Sequence, residues 1–342
     1  NYSVKIGRLR NSKIIIVQMI FKPKQYKLDK DKFNEWYSLP IAKRNELNNQ
    51  AIDDIILPWG VMLRRAKKQP LPGLAGFHLI HFHIPKTGGT TLDYLTAKNY
   101  RIDYVYQVNA PAFDKHVAGV FKNNHMFRVM MGHYELNDYF YQLFDRNKMV
   151  QFTMLREPVA RVISYYDYLR TSPNHPKYHI AKDLTLKEFI THPDIDEMPN
   201  GQAFRILGML KKEIWKKTKK SDAELIEEVT HQLKHRFTLF GLTEKYDDFL
   251  LMAQRGLGWN DIFYQRMNSS KVKTDKSTVA KDVIDLIRKQ NSIDMALYEF
   301  AKELFNYRFE NMGLTAEMVK TFKDNNKKHG ELLNSQINST IT

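Results

Sequence analysis

The apolar residues of the chain fall into short blocks of two kinds, and the two kinds alternate. Phe77 to Ile84 is a run rich in Phe, Ile, Leu and His between Gly76 and Pro85. It is too short for a helix and predicts a buried strand. Met126 to Met131, stopped by Gly132, predicts a second strand, Val150 to Leu155 a third and Phe237 to Leu242 a further one. Between these blocks the spacing becomes helical. A helix is expected from about Thr90. Pro158 stands where a first helical position should be, and Val159, Val162, Ile163, Tyr166 and Leu169 recur at helical spacing over about 158–170. Thr185 with Glu188 and Ser221 with Glu224 have capping-box spacing, and Leu225, Ile226, Val229 and Leu233 then form one apolar stripe. Helices over about 278–290 and 294–309 complete the pattern. Strands alternating with helices predict an α/β fold, with three α/β/α layers about a central, doubly wound parallel sheet.

The pattern fades at both ends. Residues 1–72 are polar, lysine-rich and weakly periodic, and they end in Pro70-Leu71-Pro72-Gly73. They read as an N-terminal extension with a short strand at 13–17 and a few helical turns. Residues 73–312 form the expected main domain. Residues 313–342 read as a polar, Asn/Lys-rich tail with some helix and a disordered end. No internal repeat is present. No apolar run approaches the roughly 18 residues a membrane span requires. Ile14 to Ile20, the longest near the start, is interrupted by Gln18 and lacks the small-residue cleavage site of a signal peptide. The chain begins with Asn rather than Met, which leaves an upstream anchor open.

Composition changes this picture in two ways. Among 342 residues, 43% are hydrophobic and 27% charged, so a packed core is expected. There is no Cys, which excludes disulfides, thiolate zinc sites, iron–sulfur clusters and cysteine nucleophiles. It also points to a reducing compartment, so a cytoplasmic location is expected. Lys and Arg number 53 against 38 acids, a formal charge of +15. Such a surface suits a polyanion: nucleic acid, a sulfated or uronate-bearing glycan, or a nucleotide. Charge alone does not choose among them, and the densest run, Lys211 to Lys220, reads as a solvated loop edge.

Two segments carry chemistry. The first is His83-Ile84-Pro85-Lys86-Thr87-Gly88-Gly89-Thr90-Thr91-Leu92, between an expected strand and an expected helix. Glycines let backbone N–H groups converge on an anion, and a helix start adds its dipole. Lys86 adds a mobile positive charge; Thr87, Thr90 and Thr91 add hydroxyls. It is a phosphate cradle in chemical terms, but not a Walker A loop, because Lys86 precedes both glycines. The second segment is Leu155-Arg156-Glu157-Pro158-Val159-Ala160-Arg161-Val162-Ile163-Ser164-Tyr165-Tyr166. Arg156 leaves a strand at its carboxyl end, where ligands bind in open α/β sheets. An arginine fork with the Ser164 hydroxyl would receive a second phosphate, and Arg161 could equally be the ligand. His78, His81 and His83 alternate on one strand. They suggest a metal site only weakly, because no matching carboxylate is spaced nearby. Buried or rim histidines are the simpler reading. The aromatics Tyr134, Tyr139, Phe140 and Tyr141 read as core packing more readily than as a sugar platform.

Together, the P-K-T-G-G-T-T turn and, some 70 residues later, the R-E-P-x-x-R-x-x-S-Y-Y turn resemble the sulfotransferases that use 3′-phosphoadenosine 5′-phosphosulfate (PAPS). Among these the chain looks most like the Golgi-type glycan O-sulfotransferases, the heparan and dermatan 2-O and 6-O enzymes and their bacterial relatives. The resemblance implies a P-loop-like fold. It implies that Lys86, Thr87, Gly88, Gly89, Thr90 and Thr91 hold the 5′-phosphosulfate and that Arg156 and Ser164 hold the 3′-phosphate. Met131-Gly132-His133-Tyr134 resembles the glycine–histidine step carrying the family's base, with Met131 where the 2-O enzymes have a second histidine. Phe240 to Phe249 and Met295 to Phe309 resemble later segments of the 2-O enzymes. Asn200-Gly201-Gln202-Ala203-Phe204-Arg205 resembles an N-x-Q-x-R segment of the 6-O enzymes with one extra residue. Met267 to Lys271 lies where relatives run a loop over the nucleotide, which makes Ser270 and Lys271 cofactor candidates. The resemblance covers about residues 77–312.

The function it implies is transfer of the sulfuryl group of PAPS to an acceptor hydroxyl by in-line displacement, leaving adenosine 3′,5′-bisphosphate. The acceptor is expected to be an acidic oligo- or polysaccharide, and no metal is required. His133 would act as general base, suited by an imidazole pKa near ~6.5. Lys86 would stabilise charge on the departing phosphate. A kinase or NTPase is the alternative, disfavoured by the displaced lysine and the missing D-x-x-G or D-F-G motif. A nucleic-acid partner is not expected, since no RRM, zinc-finger or basic-zipper pattern occurs. The resemblance also supplies an alternative to the cytoplasm, the Golgi lumen, for a chain whose anchor lies upstream.

Overall fold

The computed structural model describes residues 3–7, 16–20, 55–68, 77–100, 104–109, 128–133, 149–195, 197–209, 218–265 and 273–341. Strands β1 (Ser3–Gly7) and β2 (Ile16–Ile20) pair as an antiparallel ladder with Ser3 opposite Ile20. After α1 (Trp59–Lys68), β3 (His78–Phe82) leads into α2 (Gly89–Lys98), followed by β4 (Val105–Asn109), β5 (Val129–His133) and β6 (Met149–Leu155). Helices α3 (Pro158–Arg170), α4 (Tyr178–Ala181), α5 (Leu186–Thr191), α6 (Gly201–Ile206) and α7 (Asp222–Arg236) precede the last strand, β7 (Leu239–Leu242). Helices α8 (Tyr246–Leu257), α9 (Lys281–Gln290), α10 (Ser292–Asn311) and α11 (Ala316–Ile341) complete the chain.

Five strands form one all-parallel sheet in the order β4-β5-β3-β6-β7. The expected α/β architecture, three layers about a parallel sheet, is the architecture found. All seven residues of β6 are buried, as a strand covered by helices on both faces must be. Its Thr153 satisfies its hydroxyl by donating to the Phe82 carbonyl of β3 at 2.6 Å. Helix α3 starts where Pro158 predicts, with the Glu157 side chain accepting from the Ala160 N–H at 2.8 Å as its cap. Both expected capping boxes form, at Thr185 and Ser221. Leu225, Val229 and Leu233 are buried and Ile226 is half-buried.

Three expectations change. The strand expected to stop at Gly132 continues through it to His133, because Gly132 takes φ +136 at no steric cost and still pairs with Phe82. Before the expected boundary at 73, Ile55, Ile56, Leu57 and Met62 are buried in the same core as the sheet. Leu57 accepts from the Thr238 hydroxyl at 2.7 Å and donates to Met149 at 2.9 Å. The tail forms one helix through Ile341, not a disordered end, anchored by the buried Val319 and Phe322. Among the described residues no helix is long and apolar enough to cross a membrane.

The strand order fixes where a ligand can lie. From the central β3 the chain moves to one side, through β4 and β5, then crosses to β6 and β7 on the other. The carboxyl ends of β5, β3 and β6 therefore border the point where the winding reverses, and a crevice opens there.

Candidate active site

A cavity of about 790 Å³ occupies that crevice, with Lys86, Gly88, Gly89, Thr90, Thr91, His133, Arg156 and Ser164 in its wall. Eight expected site residues thus meet in one place. Gly88 sits at φ +85 directly before α2, the left-handed turn that aims the first N–H groups of the helix at the cavity. Lys86 also lies at positive φ, +68, a conformation a lysine keeps only when its surroundings impose it. Arg156 helps to impose it by donating to the Lys86 carbonyl at 3.1 Å, which joins the two motifs. Thr87 departs from expectation. Its side chain is buried and its hydroxyl donates to the Ile84 carbonyl at 2.8 Å, so it braces the loop instead of facing the cavity. Ser270 and Lys271, and with them the expected nucleotide loop, lie outside the described residues.

The Arg156 backbone is held at both ends by Gln202 of α6, which accepts from its N–H and donates to its carbonyl, each at 2.9 Å. Helix α6 is pinned in turn by Asp294, which accepts from the N–H groups of Gln202 and Ala203. Arg161, the alternative phosphate ligand, is fully buried. It pairs with Glu197 and donates through Nε to the Pro85 carbonyl at 3.1 Å. It supports the cradle from behind and is not available to a ligand. Burial would raise the Glu197 carboxyl, but Arg205 and Arg161 outweigh it and hold it below the usual range.

The Lys86 ammonium lies 4.3 Å from the centre of the Tyr168 ring. Burial, with the Arg156 guanidinium in support, draws its pKa down to about 8 against the opposing pull of Asp167. Asp167 accepts from the N–H and hydroxyl of Thr274, both at 2.7 Å, and so brings Lys273, Thr274 and Lys276 to the cavity wall.

The histidines form a chain of contacts. His133 Nδ1 donates to the His83 carbonyl at 2.9 Å, leaving Nε2 with its lone pair. The rings of His83 and His133 are 4.1 Å apart, centre to centre. Burial, then His83 and Arg205, push His133 down to about 3. The ordinary value near ~6.5 does not hold for it, and His133 stays neutral at physiological pH. Two of the three histidines, His81 and His83, do have a matching carboxylate. Asp93 of α2 meets His81 Nδ1 at 2.6 Å and His83 Nδ1 at 2.9 Å. Among the described residues no group of three or more His, Cys, Asp or Glu is placed to hold a metal ion.

A Cβ on Gly89 would stand 2.0 Å from His83 Nε2. Gly89→Ala is therefore expected to displace the ring or the helix start, at a cost of about 1–3 kcal/mol in thermal unfolding. An unchanged melting curve would show that the ring has room to give.

The architecture is that of a three-layer α/β/α sulfotransferase. The galactose-3-O-sulfotransferase family model matches residues 75–336, and the chain belongs to this family. It is similar to the mouse (Mus musculus) galactose-3-O-sulfotransferase 3, with 23% identity over 168 residues, 47% of this chain and 38% of that protein. It is also similar to the bovine (Bos taurus) galactose-3-O-sulfotransferase 3, with 22% identity over 171 residues, 48% of this chain and 39% of that protein. The matched stretch thus spans about two fifths of the length of each relative. The family found is the galactose 3-O group, not the 2-O and 6-O groups that the motifs resemble. The resemblance assigns the cradle and arginine–serine motifs to a donor site, and a donor site does not separate acceptors.

Proposed function

We propose that the chain transfers the sulfuryl group of PAPS to a hydroxyl of a galactose-bearing glycan. The observation that carries this reading is the meeting of the Lys86–Thr91 cradle, Arg156, Ser164 and His133 around one cavity. The residues present suit two separate anionic groups. The N–H groups at the start of α2, with Lys86 and Thr90, would hold the 5′-phosphosulfate, and Arg156 with Ser164 the 3′-phosphate. PAPS supplies an activated sulfuryl group whose leaving group is a phosphate. Lys86 offsets the negative charge that builds there. A histidine of the His83–His133 pair receives the acceptor's proton, His133 being the one the sequence points to. The positive surface suits an acidic sugar chain. Family membership supports the Golgi-lumen alternative over the cytoplasmic one, and it turns the kinase reading aside.

Adenosine 3′,5′-bisphosphate is expected to bind far more tightly than ADP, and Arg156→Ala to cost about 1.5–3 kcal/mol of that binding. Calorimetry measures both. Equal affinity for ADP and the bisphosphate would remove Arg156 and Ser164 from the 3′-phosphate and this reading with them.

A further inference from the structure

We propose that His83, backed by Asp93, takes the proton from the acceptor hydroxyl, and that His133 aligns that hydroxyl beside it. The inference rests on the sulfuryl-transfer reading above and names the group that completes it.

Asp93 is buried in α2 between two imidazoles. Burial would raise its carboxyl, but His83 and His81 hold it well below the usual range, so it is ionised. An ionised carboxylate only accepts hydrogen bonds. Both imidazoles must therefore donate from Nδ1, which in the neutral ring leaves the lone pair on Nε2. For His83 that lone pair is at the cavity wall, against Gly89 at the start of the cradle helix. A carboxylate behind Nδ1 with a free Nε2 in front is the arrangement that activates hydroxyls in hydrolytic triads. His81 shares the carboxylate but is fully buried behind it.

His83 Nδ1 meets Asp93 from α2, with His81 of β3 and His133 of β5 as its imidazole neighbours; burial pulls both of these neighbours down. His133 has a backbone carbonyl, not a carboxylate, against Nδ1; burial, His83 at the end of β3 and Arg205 of α6 oppose a proton on it, and the more distant Asp93 favours one. In the step itself the acceptor O–H bond breaks and its proton goes to His83 Nε2. The oxygen's electron pair forms the new O–S bond. The S–O bond to the donor phosphate breaks, and its electron pair leaves on adenosine 3′,5′-bisphosphate.

Glutamine separates the two roles, because it accepts a hydrogen bond but takes no proton at neutral pH. With radiolabelled PAPS and a terminal galactoside, His83→Gln is expected to lose about 100-fold or more in transfer. His133→Gln is expected to keep about a tenth of the rate or more, the loss of an aligning contact alone. Calorimetry with the bisphosphate should show both variants binding it nearly as the wild type does. Asp93→Asn, which removes the negative charge behind His83 without removing its ring, decides the matter if His83→Gln disturbs the cradle. It too should lose about 100-fold or more with bisphosphate binding kept. Wild-type transfer that survives in His83→Gln or Asp93→Asn overturns the assignment alone. A wild type that binds no bisphosphate and transfers nothing overturns the sulfuryl-transfer reading as well.

Discussion

Replacing His133 by Ala is expected to lower sulfuryl transfer by about 10²–10⁴-fold, while bisphosphate affinity stays near that of the wild type. The ring stands at the end of β5 with Nδ1 committed to the His83 carbonyl and Nε2 free. Its removal takes away either the proton acceptor or the group that aligns the hydroxyl, and the transfer rate carries the loss in both cases. Met131 cannot replace it, since a thioether takes no proton. Because burial, His83 and Arg205 keep His133 neutral far below pH 6, its own titration should not give the wild type an acid limb near ~6.5. Transfer in His133→Ala close to the wild-type rate would remove this residue from the reaction. Loss instead in Glu135→Gln would move the role to that neighbour, which lies outside the described residues.

Lys86→Ala is the second large effect. Its ammonium is needed most when charge collects on the leaving phosphate, so turnover is expected to fall by about 10²–10³-fold and bisphosphate affinity by much less. The pH dependence follows from the lowered pKa. The useful form is the protonated one, present below about 8 in the free protein and lost as pH rises through that value. Hence kcat/KM should decline above about pH 8. Lys86→Arg, which does not titrate there, should abolish the decline. Weakened binding with unchanged turnover in Lys86→Ala would reduce the residue to an anchor.

What the sequence disclosed depends on how local each signal is. Helix α3 was legible because Pro158 and the apolar period lie within one segment; the Glu157 cap came only with the structure. The cradle was legible for the same reason: its glycines, lysine and threonines are adjacent. Strand β4 was not, since Val-Tyr-Gln-Val-Asn on a sheet edge lacks a long apolar run. Helix α6 is six residues long and depends on Asp294, some ninety positions away, a tie that leaves no local trace. The same limit hid Asp93. From the sequence it is a helix residue with no visible connection to a strand; only the fold brings it under two histidines. It also left Arg161 ambiguous, because a buried pair with Glu197 and a phosphate contact look alike in one dimension. Lys273 and Lys276 reach the cavity through the Asp167–Thr274 bonds, which no motif announces.

Helix α2 places Gly89 at the cavity wall and, one turn later, Asp93 against His83. With the roles proposed above, seating of the donor and aim of the base would be set by the same rigid rod. A displacement of α2 along its axis moves both together, and neither can be adjusted alone. Substrate order then becomes a mechanical matter: a donor that fixes the helix start also fixes the histidine, before any sugar arrives. If those roles hold, the nucleotide is expected to bind first and a lone acceptor to be poorly held.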